Sequence, residues 1–254
     1  MTETTRPVRR RRHLTFARLL PNMITLGGLC CGLTGMRFAI LGHFGMAAMF
    51  IVIAAFVDGM DGRIARLLKS TSNFGAQLDS LSDIICFGVA PAIIIYLWQL
   101  QDLKTIGWAV ALFYVVCAAL RLARFNAALD DEPIEPWRKK FFTGVPAPAG
   151  AMIALLPLTA TLAMGERLPL TSMMVAGTLL IVGLLMASRV PTLSLKGLRF
   201  APELALPIML VAGFWVVCLV INPWETVAVT SVVYVLLIPL SIIRFFWLAR
   251  KTTA

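Results

Sequence analysis

Four aspartates, Asp58, Asp61, Asp79 and Asp83, fall within 26 residues of a 254-residue chain that is 59% hydrophobic and only 14% charged. The first two are three apart and the last two four apart. On a helix both spacings place the pair on one face, one turn above the other. Two helices joined by a turn near Ser70 to Asn73 can therefore aim four carboxylates at one point. Gly62 and Gly75, beside the acids, leave room for a ligand or a partner helix to approach the backbone.

An unpaired aspartate at the centre of a bilayer costs about 2.5 to 3.5 kcal/mol on insertion scales. Placement near the membrane rim lowers that figure, but four like charges still repel unless something positive lies among them. Arg63 and Arg66 are too few to balance four acids and also serve a substrate. Oxygen donors without His or Cys suit hard divalent ions, Mg²⁺ or Mn²⁺, with Ca²⁺ also fitting the donor set. Two ions would neutralise four carboxylates and leave coordination positions open for phosphate oxygens. Two other readings use the same residues: solvated loop acids, and a proton relay in a transporter. The first has no need of four acids at helical spacing. The second needs neither the glycines nor a nearby arginine.

The elements that must carry these acids follow from composition. Apolar runs of bilayer-crossing length recur along the chain. They predict spans near 17–41, 45–68, 78–99, 106–124, 147–164, 169–188, 205–222 and 227–248. The expected fold is all-α, a polytopic transmembrane bundle of about eight spans with both termini cytoplasmic. Residues 1–16 form a basic tail, and 17–254 a single membrane-embedded domain. Its catalytic core is expected at about 17–188, with additional spans at about 205–248. No cleavable leader is expected, since no small-residue cleavage site follows the first apolar run.

The net charge is +10, and "RPVRRRRH" opens the chain. In a membrane chain such residues hold loops in the cytoplasm and meet anionic head groups, so a nucleic-acid partner is not expected. Of 23 Lys and Arg, only Lys104 and Arg167 fall in the outer turns, and Arg37 lies inside the first span. The other twenty mark the inner face, where the link between the second and third spans also lies. The five cysteines all lie in apolar segments and, with only two histidines, give no zinc or disulfide pattern. The polar insert Asp130–Gly150 predicts a surface loop or a short interfacial helix.

Written as D-x2-D-G-x2-A-R-x8-G-x3-D-x3-D, the segment Asp58, Asp61, Gly62, Ala65, Arg66, Gly75, Asp79, Asp83 resembles the signature of the CDP-alcohol phosphatidyltransferases at every position. The resemblance implies a membrane enzyme that moves a phosphatidyl group from CDP-diacylglycerol to an alcohol and releases CMP. It implies that Asp58 and Asp79 bridge two metal ions, with Asp61 completing one shell and Asp83 the other. Asp83 would also take the proton of the attacking hydroxyl. Gly62, Arg66, Ser72 and Gly75 match positions around the nucleotide and its phosphates. Asn22 and Thr25 match positions that close over the CDP moiety.

"PNMITLGGLCCG", "DSLSDIICFGVAPA", "RLARFN" and "GVPAPAGA" are similar to stretches in the polytopic bacterial branch whose acceptor is L-serine. That branch implies a bacterial inner-membrane location, a homodimer and an active site at the cytoplasmic face. The serine carboxylate needs a cation. Arg121 and Arg124, with Asn126 beside them, end the fourth span on the face that carries the acids. Glycerol 3-phosphate, inositol phosphate or choline as acceptor remains the nearest alternative, and an ion or proton transporter the alternative of a different class.

Overall fold

In hydrocarbon a backbone can satisfy its polar groups only within its own segment or a closed barrel, so long apolar runs become helices. The computed structural model describes residues 16–67, 72–127, 141–165, 168–193 and 204–253. The basic tail before residue 16, Ser70 and Thr71 of the expected turn, Arg138–Lys140 and the Arg66 side chain lie outside the described residues. Helices α1 (Phe16–Ile40), α2 (Phe44–Leu67), α3 (Asn73–Asp83), α4 (Ala90–Trp98) and α5 (Lys104–Ala127) come first. Then follow α6 (Ala147–Ala154), α7 (Leu156–Met164), α8 (Ser172–Ala187), α9 (Ala205–Ile221) and α10 (Pro223–Thr253).

The protein is thus an all-α, multi-pass membrane bundle. Five described segments are long and apolar enough to cross a bilayer, and the bent pair α6–α7 adds a sixth if it counts as one span. The shorter apolar helices α8 and α9 occupy the positions where the sequence suggests the sixth and seventh spans. Along α9, Met209, Val211, Phe214 and Val220 are each at least 70% exposed. So much bare hydrocarbon is untenable in water and ordinary against lipid tails.

The sequence predicts one span near 147–164, and within it the chain bends by 47° between α6 and α7. Pro157, at the start of α7, has no N–H for the Ile153 carbonyl one turn back, and its ring crowds that turn. A second proline acts differently. Between α3 and α4 the helix widens into a π-helical turn, Ile84–Val89, so that Asn73–Trp98 runs as one segment. Pro91 cannot donate to the Phe87 carbonyl, and the fully buried Tyr114 hydroxyl of α5 donates to that oxygen at 2.9 Å. A proline-freed carbonyl in a membrane helix is tolerated when a neighbouring helix supplies the missing donor.

Close packing around the turn depends on small residues. A Cβ on Gly32 of α1 would lie 2.6 Å from Cys86 Sγ and 3.1 Å from Cys86 Cα. A Cβ on Gly35 would lie 3.0 Å from the Ala47 carbonyl oxygen of α2. With Gly28 they form a stripe along which α1 meets α2 and the π turn, the packing by small residues usual inside membranes. α1 is closed by the positive-φ Gly42, with His43 N–H donating to Phe38 O and Gly42 N–H to Ala39 O.

Two three-residue strands were not expected from the sequence. β1 (Phe141–Thr143) pairs antiparallel with β2 (Pro191–Leu193), Phe142 opposite Thr192. Gly144 follows β1 at φ +83°, and a Cβ there would meet the Met186 and Ser188 carbonyls at 2.8 and 2.9 Å. The ribbon thus ties the start of α6 to the end of α8, and Ser241 of α10 donates to Pro191 O at 2.8 Å. The core below is filled by Ile51, Phe87, Ile94, Ile95, Tyr114 and Leu179, all nearly inaccessible.

Candidate active site

The alternating course of the chain brings the starts of α1, α3 and α6 and the ends of α2, α5 and α8 to one side of the bundle. The acids sit there. Asp58, Asp61 and Asp79 each offer a carboxylate oxygen, and these oxygens lie within 4.8 Å of one another. Asp83, one turn beyond Asp79, has Asp58, Asp79 and the Arg121 guanidinium as charged neighbours and is in hydrogen-bonding contact with Asp58. All four expected acids therefore converge. They border a pocket of about 10 Å³, shared with Thr25, Gly28, Ser82 and Phe87, which is room for one water-sized sphere.

Charge and donor chemistry test whether a cation fits. Asp61 is only 5% exposed, and its one described hydrogen-bonding side chain is neutral: Thr25 Oγ1 lies 2.8 Å from Asp61 Oδ2. Carboxylates this close repel unless a positive charge lies between them. The donors are oxygens alone and their separation suits joint coordination, so the residues present fit a hard divalent ion.

The supports come from α1. Ser82 donates to the Thr25 carbonyl at 3.4 Å, and Cys86 Sγ to the Gly28 carbonyl at 3.3 Å. The helix carrying Asp79 and Asp83 is thus fastened to the helix whose threonine holds Asp61. Spacing alone could not reveal this, since the partners are more than fifty residues apart. The Thr25 hydroxyl also lies 3.1 Å from the Pro21 carbonyl one turn back.

The residues that the family resemblance implies for nucleotide binding lie around the same end. Ser72 caps α3 by accepting from Gly75 N–H at 3.0 Å. A Cβ on Gly75 would stand 2.9 Å from Asn22 Oδ1 and 3.2 Å from Ser72 Oγ, so Asn22, Ser72 and Gly75 form one tight corner between α1 and α3. Gly62 faces open space. Replacing Gly75 by Ala is expected to push Asn22 away and to raise the KM for the nucleotide-bearing substrate about tenfold. Steady-state kinetics on purified protein check this, and an unchanged KM would leave Asn22 without a part in nucleotide binding.

The two arginines of "RLARFN" separate. Arg124 Nη1 donates to the Ala187 and Ser188 carbonyls at 2.8 and 3.3 Å, capping α8. Arg121 instead faces the acids, with Asp83 and Asp58 among its charged neighbours. Asn126 Oδ1 accepts from Ser80 Oγ at 3.1 Å and ties α5 to α3.

Comparison with known proteins places this arrangement. The family model described as CDP-alcohol phosphatidyltransferase matches residues 18–193, which contain all four acids. The chain belongs to the CDP-alcohol phosphatidyltransferase family. A second model, CDP-alcohol phosphatidyltransferase 2, matches 203–239, covering α9 and half of α10. The chain is 35% identical over 251 residues to the CDP-diacylglycerol–serine O-phosphatidyltransferase of Mycobacterium leprae, spanning 99% of this chain and 83% of that one. It is 30% identical over 233 residues to the protein of the same name from Helicobacter pylori strain J99, spanning 92% and 93%. A shorter match, 38% over 141 residues, joins it to the Bacillus subtilis protein of that name, spanning 55% and 76%.

Proposed function

We propose that this protein transfers the phosphatidyl group of CDP-diacylglycerol to the hydroxyl of L-serine, giving phosphatidylserine and CMP. The convergence of Asp58, Asp61, Asp79 and Asp83 carries the reading, in a chain similar to three enzymes named for serine as acceptor.

The four aspartates would hold Mg²⁺ or Mn²⁺, two ions per site by the family resemblance. Such ions, when bound, neutralise the pyrophosphate and stabilise the charge that develops on departing CMP. Asp83 accepts the proton of the serine hydroxyl, because an alcohol is a weak nucleophile at neutral pH. The serine oxygen then bonds to the β-phosphorus as the bond to the CMP oxygen breaks, and CMP leaves as an anion. A single displacement is the simplest course: Ser82 and Cys86 border the acids, but both give their protons to carbonyls of α1. Thr25 orients Asp61 through its hydrogen bond. Asn22, Ser72 and Gly75 contact the nucleotide, with Gly62 and Arg66 on its phosphates. Arg121, rather than Arg124, receives the serine carboxylate, because Arg124 is engaged in capping α8.

The Lys and Arg bias of the sequence supports a site at the cytoplasmic face of the bacterial inner membrane, where CMP and serine are dissolved. A homodimer follows from the same resemblance. CMP release from purified protein supplied with CDP-diacylglycerol tests the reading. Release is expected with L-serine, not with glycerol 3-phosphate, and not in the presence of chelator. Release with glycerol 3-phosphate and none with serine would overturn it.

A further inference from the structure

Among the described residues, two buried side-chain polar atoms have no hydrogen-bond partner: Arg121 Nε and the Tyr234 hydroxyl. They stand on α5 and α10, 113 positions apart in sequence (234 − 121). Yet each side chain is an electrostatic neighbour of the other. Arg121 has Asp83 and Asp58 as further neighbours, so the pair adjoins the acids.

A buried polar group without a partner is destabilising, and native structures hold few of them; each one asks for an explanation. Here both groups can donate. A guanidinium Nε–H is only a donor, and a phenol that finds no acceptor in the protein has its proton available. Thr192 is a polar neighbour of the phenol, and its own proton goes to the Gly144 carbonyl at 2.8 Å. Two unused donors beside a cation call for anionic oxygens, and a carboxylate offers two. Tyr234 also borders an apolar cavity of about 330 Å³ with Phe56, Met152 and Trp215 among its walls. Tyr234 therefore stands between an apolar cavity and the charged site, a place that suits an apolar ring with a polar tip.

We infer that Tyr234 donates a hydrogen bond to the acceptor's carboxylate alongside Arg121, and so helps determine specificity for an amino-acid acceptor. The inference rests on the reading above that the acceptor is L-serine. It gives the last helix, which lies outside the 18–193 match, a part in choosing the substrate. A site built around buried donors discriminates strongly against an acceptor that cannot fill them.

Tyr234→Phe removes one oxygen and keeps the ring. In the full-length purified protein with CDP-diacylglycerol micelles and Mn²⁺, the variant is expected to raise the KM for L-serine about tenfold. kcat, the KM for CDP-diacylglycerol and the melting temperature should stay close to their original values. An unchanged serine KM, a rise confined to CDP-diacylglycerol, or a fall in kcat alone overturns the inference. Absence of CMP release by the unaltered protein with L-serine would instead overturn the functional reading on which it rests.

Discussion

Asparagine in place of Asp83 is expected to lower kcat by a factor of about 10² to 10⁴, the usual contribution of a positioned base. The substitution keeps the shape of the side chain and removes its capacity to accept a proton. Asp83 stands apart from the three-oxygen set of Asp58, Asp61 and Asp79. It ends α3 immediately before the π turn, next to Asp58, Asp79 and Arg121. Because part of any loss could come from weakened ion binding, kcat should be measured at saturating Mn²⁺ as well as at low Mn²⁺. A base accounts for the loss that saturation does not restore. Activity within threefold of the original under saturating metal would remove Asp83 from proton transfer.

Asp58→Asn should produce an effect of comparable size through a different route. Asp58 offers an oxygen within 4.8 Å of those of Asp61 and Asp79 and is in hydrogen-bonding contact with Asp83, so it neighbours every other acid group in the site. Losing a ligand at that node is expected to weaken Mn²⁺ binding by about a hundredfold or more, beyond the effect of removing an outer-shell partner. Titration of purified protein with Mn²⁺, followed by the free-ion spin-resonance signal, reads this without catalysis. The bundle itself should survive, because removing one of four clustered negative charges also relieves repulsion. An unchanged Mn²⁺ isotherm would dissociate Asp58 from metal binding.

The extent to which the molecule could be read from its sequence follows from the range of the interactions involved. The long helices are local: their limits follow from apolar length and from signals such as Gly42. The acids were legible because four carboxylates at spacings of three and four stand out sharply against hydrocarbon. Other features depend on partners far away in the chain. Arg121 and Arg124 share a helix face by spacing, yet α8 captures one of them and the acids attract the other. The β1–β2 ribbon joins residues about fifty apart through segments too short to show an alternating pattern. Tyr234 in an apolar helix reads as an ordinary membrane aromatic until α5 is packed beside it. Pro91 and Pro157 look alike in sequence. One yields a continuous π turn and the other a bend, and Tyr114 meets the carbonyl beside the first.

The widened turn at Ile84–Val89 has a geometric result for the segment that contains it. In a regular helix each residue advances the side-chain direction by about 100°, so the bearing of one end dictates that of the other. A surplus residue in the middle breaks that rule. Asp79 and Asp83 can face their partners on α2 while Ile94 and Ile95, a few turns on, face the protein interior. The turn works as a phase shifter between a chemical half and a packing half of one rod.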